Sequence, residues 1–197
     1  GRLLGAAKRL FAAKGYAATT VRDVLREAGV TAPVLYYHFG NKEGVFLALA
    51  REAREKLDAA VEVALGRGAT ASERIRGYCW AIAAVRREDA DLVRIADSIL
   101  SGPPGAAPRF DIRSAIAESV RRLETFVRQG IDSGELRECD ARSVALALLG
   151  GVEIAARPAW FERGKPSRHD PLDGILSVVL DGLRRPSAPR RVRRPRS

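Results

Sequence analysis

The sequence contains no methionine, only two cysteines and two histidines, and no apolar run long enough to span a membrane. Each shortage removes a class of protein. Cys79 and Cys139 stand far apart and match no metal-ligand or redox spacing, which excludes a zinc module, a CxxC centre and a disulfide framework. Cys79 falls inside an apolar helical pattern, where a small thiol is a core residue, and a reduced, cytoplasmic setting is expected. His38 and His169 have no cysteine or acid at ligand spacing, and no nucleophile motif or phosphate loop occurs. The expectation is a non-enzyme with no cofactor and no metal. With neither a span nor a signal sequence, no membrane partner is expected. Gly1 stands where a methionine would, so the N-terminus is expected to be incomplete.

Positive charge is plentiful and uneven. The net charge is +10; residues 1–56 hold 10 Lys/Arg against 5 Asp/Glu, and residues 184–197 hold 7 Arg and no acid. The stretch between them is slightly acidic. A basic head and tail around a near-neutral body point to a polyanionic partner.

Strand-type alternation is nearly absent, whereas alanine-rich helical spacing recurs along the chain. Leu3, Ala7, Leu10 and Phe11 stripe a first helix that Gly15 ends. Thr20 with Asp23 forms an N-cap pair for a second helix running to Gly29, Thr31 caps a short third, and Asn41 opens a long fourth reaching about Leu65. Helices are predicted over roughly 72–86 and 88–100, then, after the break "SGPPGAAP", near 110–132, 140–156 and 171–184. The tail "RRPSAPRRVRRPRS" alternates proline with arginine and reads as disordered. The fold class is therefore all-α, with about nine helices: a small N-terminal unit, a larger C-terminal helical bundle, and a basic tail.

The first three helices, the last two joined by a glycine turn, fit a helix-turn-helix, whose second helix enters the DNA major groove. At 100° per residue, placing Leu35 inward puts Tyr37 and Pro33 on the opposite face and Tyr36 and Val34 on its flanks. His38 turns toward the inner side, and Phe39 folds back over Leu35. An exposed tyrosine beside an exposed proline is a poor solvent face and a good contact surface. A tyrosine hydroxyl suits a phosphate oxygen, and a ring or valine suits a thymine methyl. Lys42, in the first turn of the next helix, stands where backbone N–H groups also attract phosphate.

"LFAAKGYAATTVRDVLREAGVTAPVLYYHFGNKEGVFLALA", residues 10–50, resembles the DNA-binding head of the TetR family of transcriptional regulators. The resemblance rests on Leu10-Phe11, Gly15, Thr19-Thr20, Ala28-Gly29-Val30, Leu35-Tyr36, His38-Phe39 and Lys42-Glu43, in register. It implies phosphate anchors at Thr20, Tyr36, His38 and Lys42, and base-reading positions at Arg22, Ala32, Pro33, Val34 and Tyr37, with Thr31 beside them. Arg22 has the geometry for a bidentate contact to guanine. Ala32-Pro33-Val34 departs from the small-polar or Lys-Gly combinations frequent in the family, so contacts there are expected to lean on methyl groups and groove shape.

The resemblance also implies a helix-turn-helix domain over 1–48, a ligand-binding and dimerisation domain over 49–185, and the basic tail over 186–197. A homodimer is implied, held by Val144, Leu148, Gly151, Val152 and Ala155 of one helix and Ile175, Leu176, Val179 and Leu183 of the last. A small hydrophobic effector is implied as well, in a pocket for which Tyr78, Trp80, Ile82, Ile95, Ile99, Phe110, Leu123 and Phe126 are candidates. Trp160 and Phe161 are expected to close one end, and Asp97, Ser98, Ser119 and Arg122 are possible orienting groups. The function expected is a repressor that binds a pseudo-palindromic double-stranded DNA operator as a dimer and leaves it when the effector binds. The alternatives are a regulator without an effector, or a less specific architectural DNA binder using its Arg-rich tail.

Overall fold

The computed structural model describes residues 1–66, 68–102, 111–157 and 169–184. These form nine helices: α1 (Arg2–Lys14), α2 (Val21–Ala28), α3 (Ala32–Phe39), α4 (Lys42–Leu65), α5 (Ala71–Glu88), α6 (Ala90–Ser101), α7 (Ile112–Asp132), α8 (Ala141–Ala155) and α9 (Pro171–Leu183). Among the described residues there is no strand, only an isolated bridge between Leu136 and Arg184. The all-α class and helix order match the sequence expectation. The tail 186–197, Phe110, Trp160 and Phe161 lie outside the described residues.

Local chemistry sets the helix starts. The Thr20 hydroxyl accepts the Asp23 N–H while the Asp23 carboxylate accepts the Thr20 N–H, a reciprocal cap that opens α2. The same box, Thr70 with Glu73, opens α5. Asn41 caps α4 by accepting the Gly44 N–H at 2.8 Å. Asp89, Asp111, Asp140 and Asp170 cap α6, α7, α8 and α9. Thr31 occupies the N-cap position of α3 without a side-chain cap bond, so that helix is held by packing.

Two glycines shape the head. Gly29 ends α2 with φ 63° and ψ 38°, the left-handed conformation that costs glycine no Cβ clash, and turns the chain into α3. At Gly44 a Cβ would stand 1.8 Å from the Phe39 carbonyl oxygen, so only glycine allows α4 to start so close to the end of α3.

Two hydrophobic cores follow from this arrangement. The first gathers Leu3, Ala7, Phe11, Val24, Leu35, Val45, Phe46 and Leu49 from α1–α4, together with Ile95 of α6. Phe11, Tyr16 and Phe46 form its aromatic centre, with ring centroids 5.3–6.1 Å apart. Burying Phe11 or Phe46 is worth roughly 1.5–3 kcal/mol each. The second core is built from α5, α7, α8 and α9 around Ile75, Leu123, Val127, Leu148, Leu172, Leu176 and Leu180. Helix α4 runs through both, contributing Phe46 and Leu49 to the first and Val61 to the second. Because α6 packs on α1, the small head is not an isolated three-helix unit.

Ion pairs tie the elements together. Lys8 of α1 meets Asp89 at 2.5 Å, Arg157 beyond α8 meets Asp97 of α6 at 2.6 Å, and Arg87 of α5 makes a two-pronged contact with Asp170 at 2.5 and 2.9 Å. The Arg87 guanidinium holds the Asp170 carboxyl below the usual carboxylate range. Glu135 reaches across from the α7–α8 connection and accepts the free N–H groups of Ala71 and Ser72 at 2.8 and 3.0 Å, closing the first turn of α5.

Candidate nucleic-acid interface

Helix α3 is eight residues long, and only Leu35 is buried on it. Tyr37 is 85% exposed, Tyr36 54% and Val34 40%, with Pro33 also exposed, so the face opposite Leu35 is a bare aromatic and aliphatic surface. Ala32 is partly buried at the start of the helix. His38 is exposed rather than turned inward, and its ring stands edge-on to Tyr37 at 5.0 Å. Phe39, one turn after Leu35 on the same face of α3, is half-buried against the first core.

On α2, Arg22 points into solvent, and no hydrogen bond or ion pair engages it among the described residues. The acids near it in sequence are taken. Glu27 accepts from Arg9 at 3.1 Å, and Asp23 accepts from Arg26 at 2.9 Å while serving the α2 cap. That cap holds the Asp23 carboxyl below its ordinary range, through the backbone and hydroxyl of Thr20. The Arg22 guanidinium therefore stands in solvent without an intramolecular partner among the described residues. Thr20 is exposed with its hydroxyl engaged by Asp23, whereas the exposed Thr31 makes no side-chain cap bond.

Lys42 departs from the expectation of a simple phosphate anchor. Its Nζ donates to the carbonyl oxygens of Tyr16 and Thr19, both at 2.9 Å, and lies 4.2 Å from the Tyr16 ring centroid. Two of its three donors are thus spent on the connection after α1, and burial pushes its pKa down. Its first work is to fasten the start of α4 to that connection, which spacing along the chain does not reveal.

A cavity of about 230 Å³ opens beside both cores, close to the roughly 300 Å³ lower end of ordinary small-molecule sites. Tyr78, Ile82, Ile95 and Ile99 line it, as do Ser119 and Arg122. Trp80, Leu123 and Phe126 do not. Leu123 and Phe126 are consumed by the second core, and Trp80 is half-buried against that same core, donating its Nε1–H to Asp173 at 3.1 Å. Asp97 and Ser98 are also outside the lining. Sequence reasoning placed the pocket on helices four to seven but named no residue of α4, where Phe46, Leu49, Leu57 and Val61 face the cavity along one helical seam. That seam at i, i+3, i+4 spacing over a helix joining two cores was the available signal. Burial raises the Tyr78 hydroxyl above its ordinary pKa, with Ser119 and Arg122 opposing.

The expected dimer residues need correction. Leu148, Val152, Ala155, Leu176 and Leu183 are buried inside the subunit, because the cores of α8 and α9 face α5 and α7. Val144, Ile175 and Val179 are partly buried against the same core. Gly151 admits Ile175 of the same subunit, whose Cγ2 would lie 2.7 Å from an added Cβ. The exposed apolar residues of these helices are instead Leu146 and Ile154 on α8 and Val178 on α9, the last 77% exposed. Gly150, Gly174 and Gly182 stand on the same outward faces with open space around them.

A short helix set across a glycine turn from α2, with one face on the core and the other uncovered, is the arrangement of a helix-turn-helix DNA-binding protein. The sequence pattern of bacterial regulatory proteins of the tetR family matches residues 3–49, and that of the tetracyclin repressor-like C-terminal domain matches residues 68–183; the chain belongs to the TetR family of transcriptional regulators. This is a family of regulators and not of enzymes. The chain is 29% identical over 187 residues to the HTH-type transcriptional repressor KstR2 of Mycobacterium tuberculosis, covering 93% of this chain and 92% of that one. It is 31% identical over 189 residues to the HTH-type transcriptional repressor AcnR of Corynebacterium efficiens, with 93% and 92% covered. Among solved structures it is similar to the TetR family regulator PfmR from Thermus thermophilus, with a TM-score of 0.71, 29% identity, and 94% and 100% of the two chains covered. Among the described residues no helix is long and apolar enough to cross a membrane, and no cluster of metal-binding side chains occurs.

Proposed function

We propose that this regulator is a cytoplasmic repressor that binds a pseudo-palindromic operator as a homodimer and is released by a small hydrophobic effector. The exposed face of α3 carries the reading: Pro33, Val34 and Tyr37 stand exposed on the side turned away from the core. In this reading residues 1–48 form the DNA-binding head, residues 49–185 the dimerisation and ligand domain, and residues 186–197 a basic tail. Tyr36, His38, Thr20 and Thr31 contact phosphates, and Arg22 reads a base edge from α2. The two relatives named above, KstR2 and AcnR, carry the name of repressor, which supports the sign of regulation.

The dimer rests on Leu146, Gly150 and Ile154 of α8 and Gly174, Val178 and Gly182 of α9. Their exposed apolar residues and bare glycines suit close packing of helices about a twofold axis. Effector coupling follows from the cavity walls. Phe46, Leu49 and Ile95 belong both to the cavity lining and to the head core, so a ligand that displaces α4 or α6 changes how the heads are held.

The test is selection of bound sequences from random duplex DNA by the full chain, with and without residues 186–197. The expected product is an inverted repeat whose half-sites lie about one helical turn apart, retained after the tail is removed. Loss of sequence preference on removing the tail would favour an architectural binder. Recovery of a lone half-site would remove the dimer.

A further inference from the structure

Among the described residues one arginine of the cavity wall has no hydrogen-bonded or ion-paired carboxylate. Three arginines line it: Arg54, Arg86 and Arg122. Arg54 donates to Asp58 at 2.7 Å, and Arg86 pairs with Glu153. The remaining acids of the lining are also engaged, Glu118 with Arg121 at 2.6 Å and Asp89 with Lys8 at 2.5 Å. Arg122 has no carboxylate in hydrogen-bonding or ion-pair contact among the described residues; Glu118, one turn earlier on α7, is bonded to Arg121, and its carboxyl is held below the usual range by Arg121 first and by the more distant charge of Arg122 second. Its guanidinium carbon stands 5.8 Å from the ring centroid of the buried Tyr78, and it is itself half-buried. The rest of the wall is aliphatic and aromatic, from Phe46 and Leu49 on α4 to Ile95 and Ile99 on α6.

We propose that the cavity takes an apolar molecule carrying one free carboxylate, which pairs with Arg122 while the apolar body lies against α4 and α6. This rests on the effector reading given above and names the chemistry of the effector. A neutral hydrocarbon would fill the apolar wall but leave the guanidinium without an anion. A cationic ligand would be repelled by it. A dianionic head would gain one guanidinium and meet the carboxylates of Glu118 and Asp58 in the same lining, so a single negative charge fits best. The planar guanidinium matches a carboxylate through two parallel N–H···O bonds, and a half-buried site strengthens them relative to open water.

Isothermal titration of the full chain at neutral pH tests this with matched pairs: octanoate, decanoate and a fused-ring monocarboxylate, each beside its own methyl ester. The acid is expected to bind at least about tenfold more tightly than its ester, the factor that a charge-assisted bond of ordinary strength supplies. Arg122→Gln is expected to erase that preference, and Arg122→Lys to keep part of it. Acids and esters binding equally to the unaltered protein would overturn the carboxylate and leave the effector reading standing. A preference that survives in Arg122→Gln would overturn the assignment to Arg122. Binding of no acid and no ester would overturn both. The matched pairs decide the matter on the unaltered protein even where a variant fails to fold.

Discussion

Lys8 of α1 and Asp89, the N-cap of α6, meet at 2.5 Å, and the other oxygen of the same carboxylate accepts the Leu92 N–H at 3.3 Å. One aspartate thus starts α6 and holds it to the first helix of the head. The pair is well shielded, with side chains 28% and 13% exposed, so it lies between a surface bridge worth about 0–1 kcal/mol and a buried one whose breaking costs about 3–5 kcal/mol. Lys8→Met is expected to lower stability by roughly 1–2 kcal/mol on that scale. A double-mutant cycle with Asp89→Asn, followed by thermal unfolding, should return a favourable coupling energy. A coupling near zero would mean that the helices are held by apolar packing alone.

The DNA face separates reading from holding. Arg22→Ala is expected to relax preference at one operator position by about 1–3 kcal/mol. Tyr36→Phe should weaken binding to all sequences alike. Footprinting across operator variants distinguishes the two, and an unchanged preference in Arg22→Ala would remove Arg22 from the readers.

Lys42 should behave differently from both. Its bonds to the Tyr16 and Thr19 carbonyls make Lys42→Ala a stability variant, since two partly buried acceptors lose their donor. The expected result is a head destabilised by about 1–3 kcal/mol, with DNA affinity falling in step. A variant with normal unfolding and weak DNA binding would restore the plain phosphate-anchor role.

Val178, 77% exposed on α9, is the most exposed of the large apolar side chains on the proposed dimer face. Val178→Glu is expected to shift the sedimenting species toward the 21.4 kDa single chain and to weaken operator binding more than a conservative Val178→Ala. A dimer unaffected by the glutamate would place the interface elsewhere.

Acid should expose the Arg87–Asp170 contact. The carboxyl of Asp170 is held below its ordinary value of 3.8 in the folded chain, so its stabilisation is full above that pH and is lost as pH falls through the lower folded value. Asp170→Asn is expected to cost about 1 kcal/mol at neutral pH, with the gap to the unaltered protein closing below about pH 4. Urea unfolding at neutral and acid pH measures it, and a gap independent of pH would assign the loss to the α9 cap.

Helix identity and the helix-turn-helix register were legible in the sequence because they depend on neighbours. Thr20 and Asp23 find each other across three residues, Gly29 needs only its own φ, and the outward turn of Pro33, Val34 and Tyr37 follows from helical pitch. What lies opposite a side chain was not legible. Helix α8 is apolar on nearly every side, so periodicity alone could not choose between Leu148 and Val152 or Leu146 and Ile154 as its inner face; packing against α5 and α7 chose the first pair. Lys42 looked like a free cation until the chain returned it to the Tyr16 and Thr19 carbonyls. Likewise, Glu27 stands five residues from Arg22 in the sequence, but only the packing of α1 on α2 gives it to Arg9. Local bonding is written within a few residues. Burial and charge pairing are settled between segments far apart in the chain, and in this protein they decide which side chains remain for DNA, for a ligand and for a second subunit.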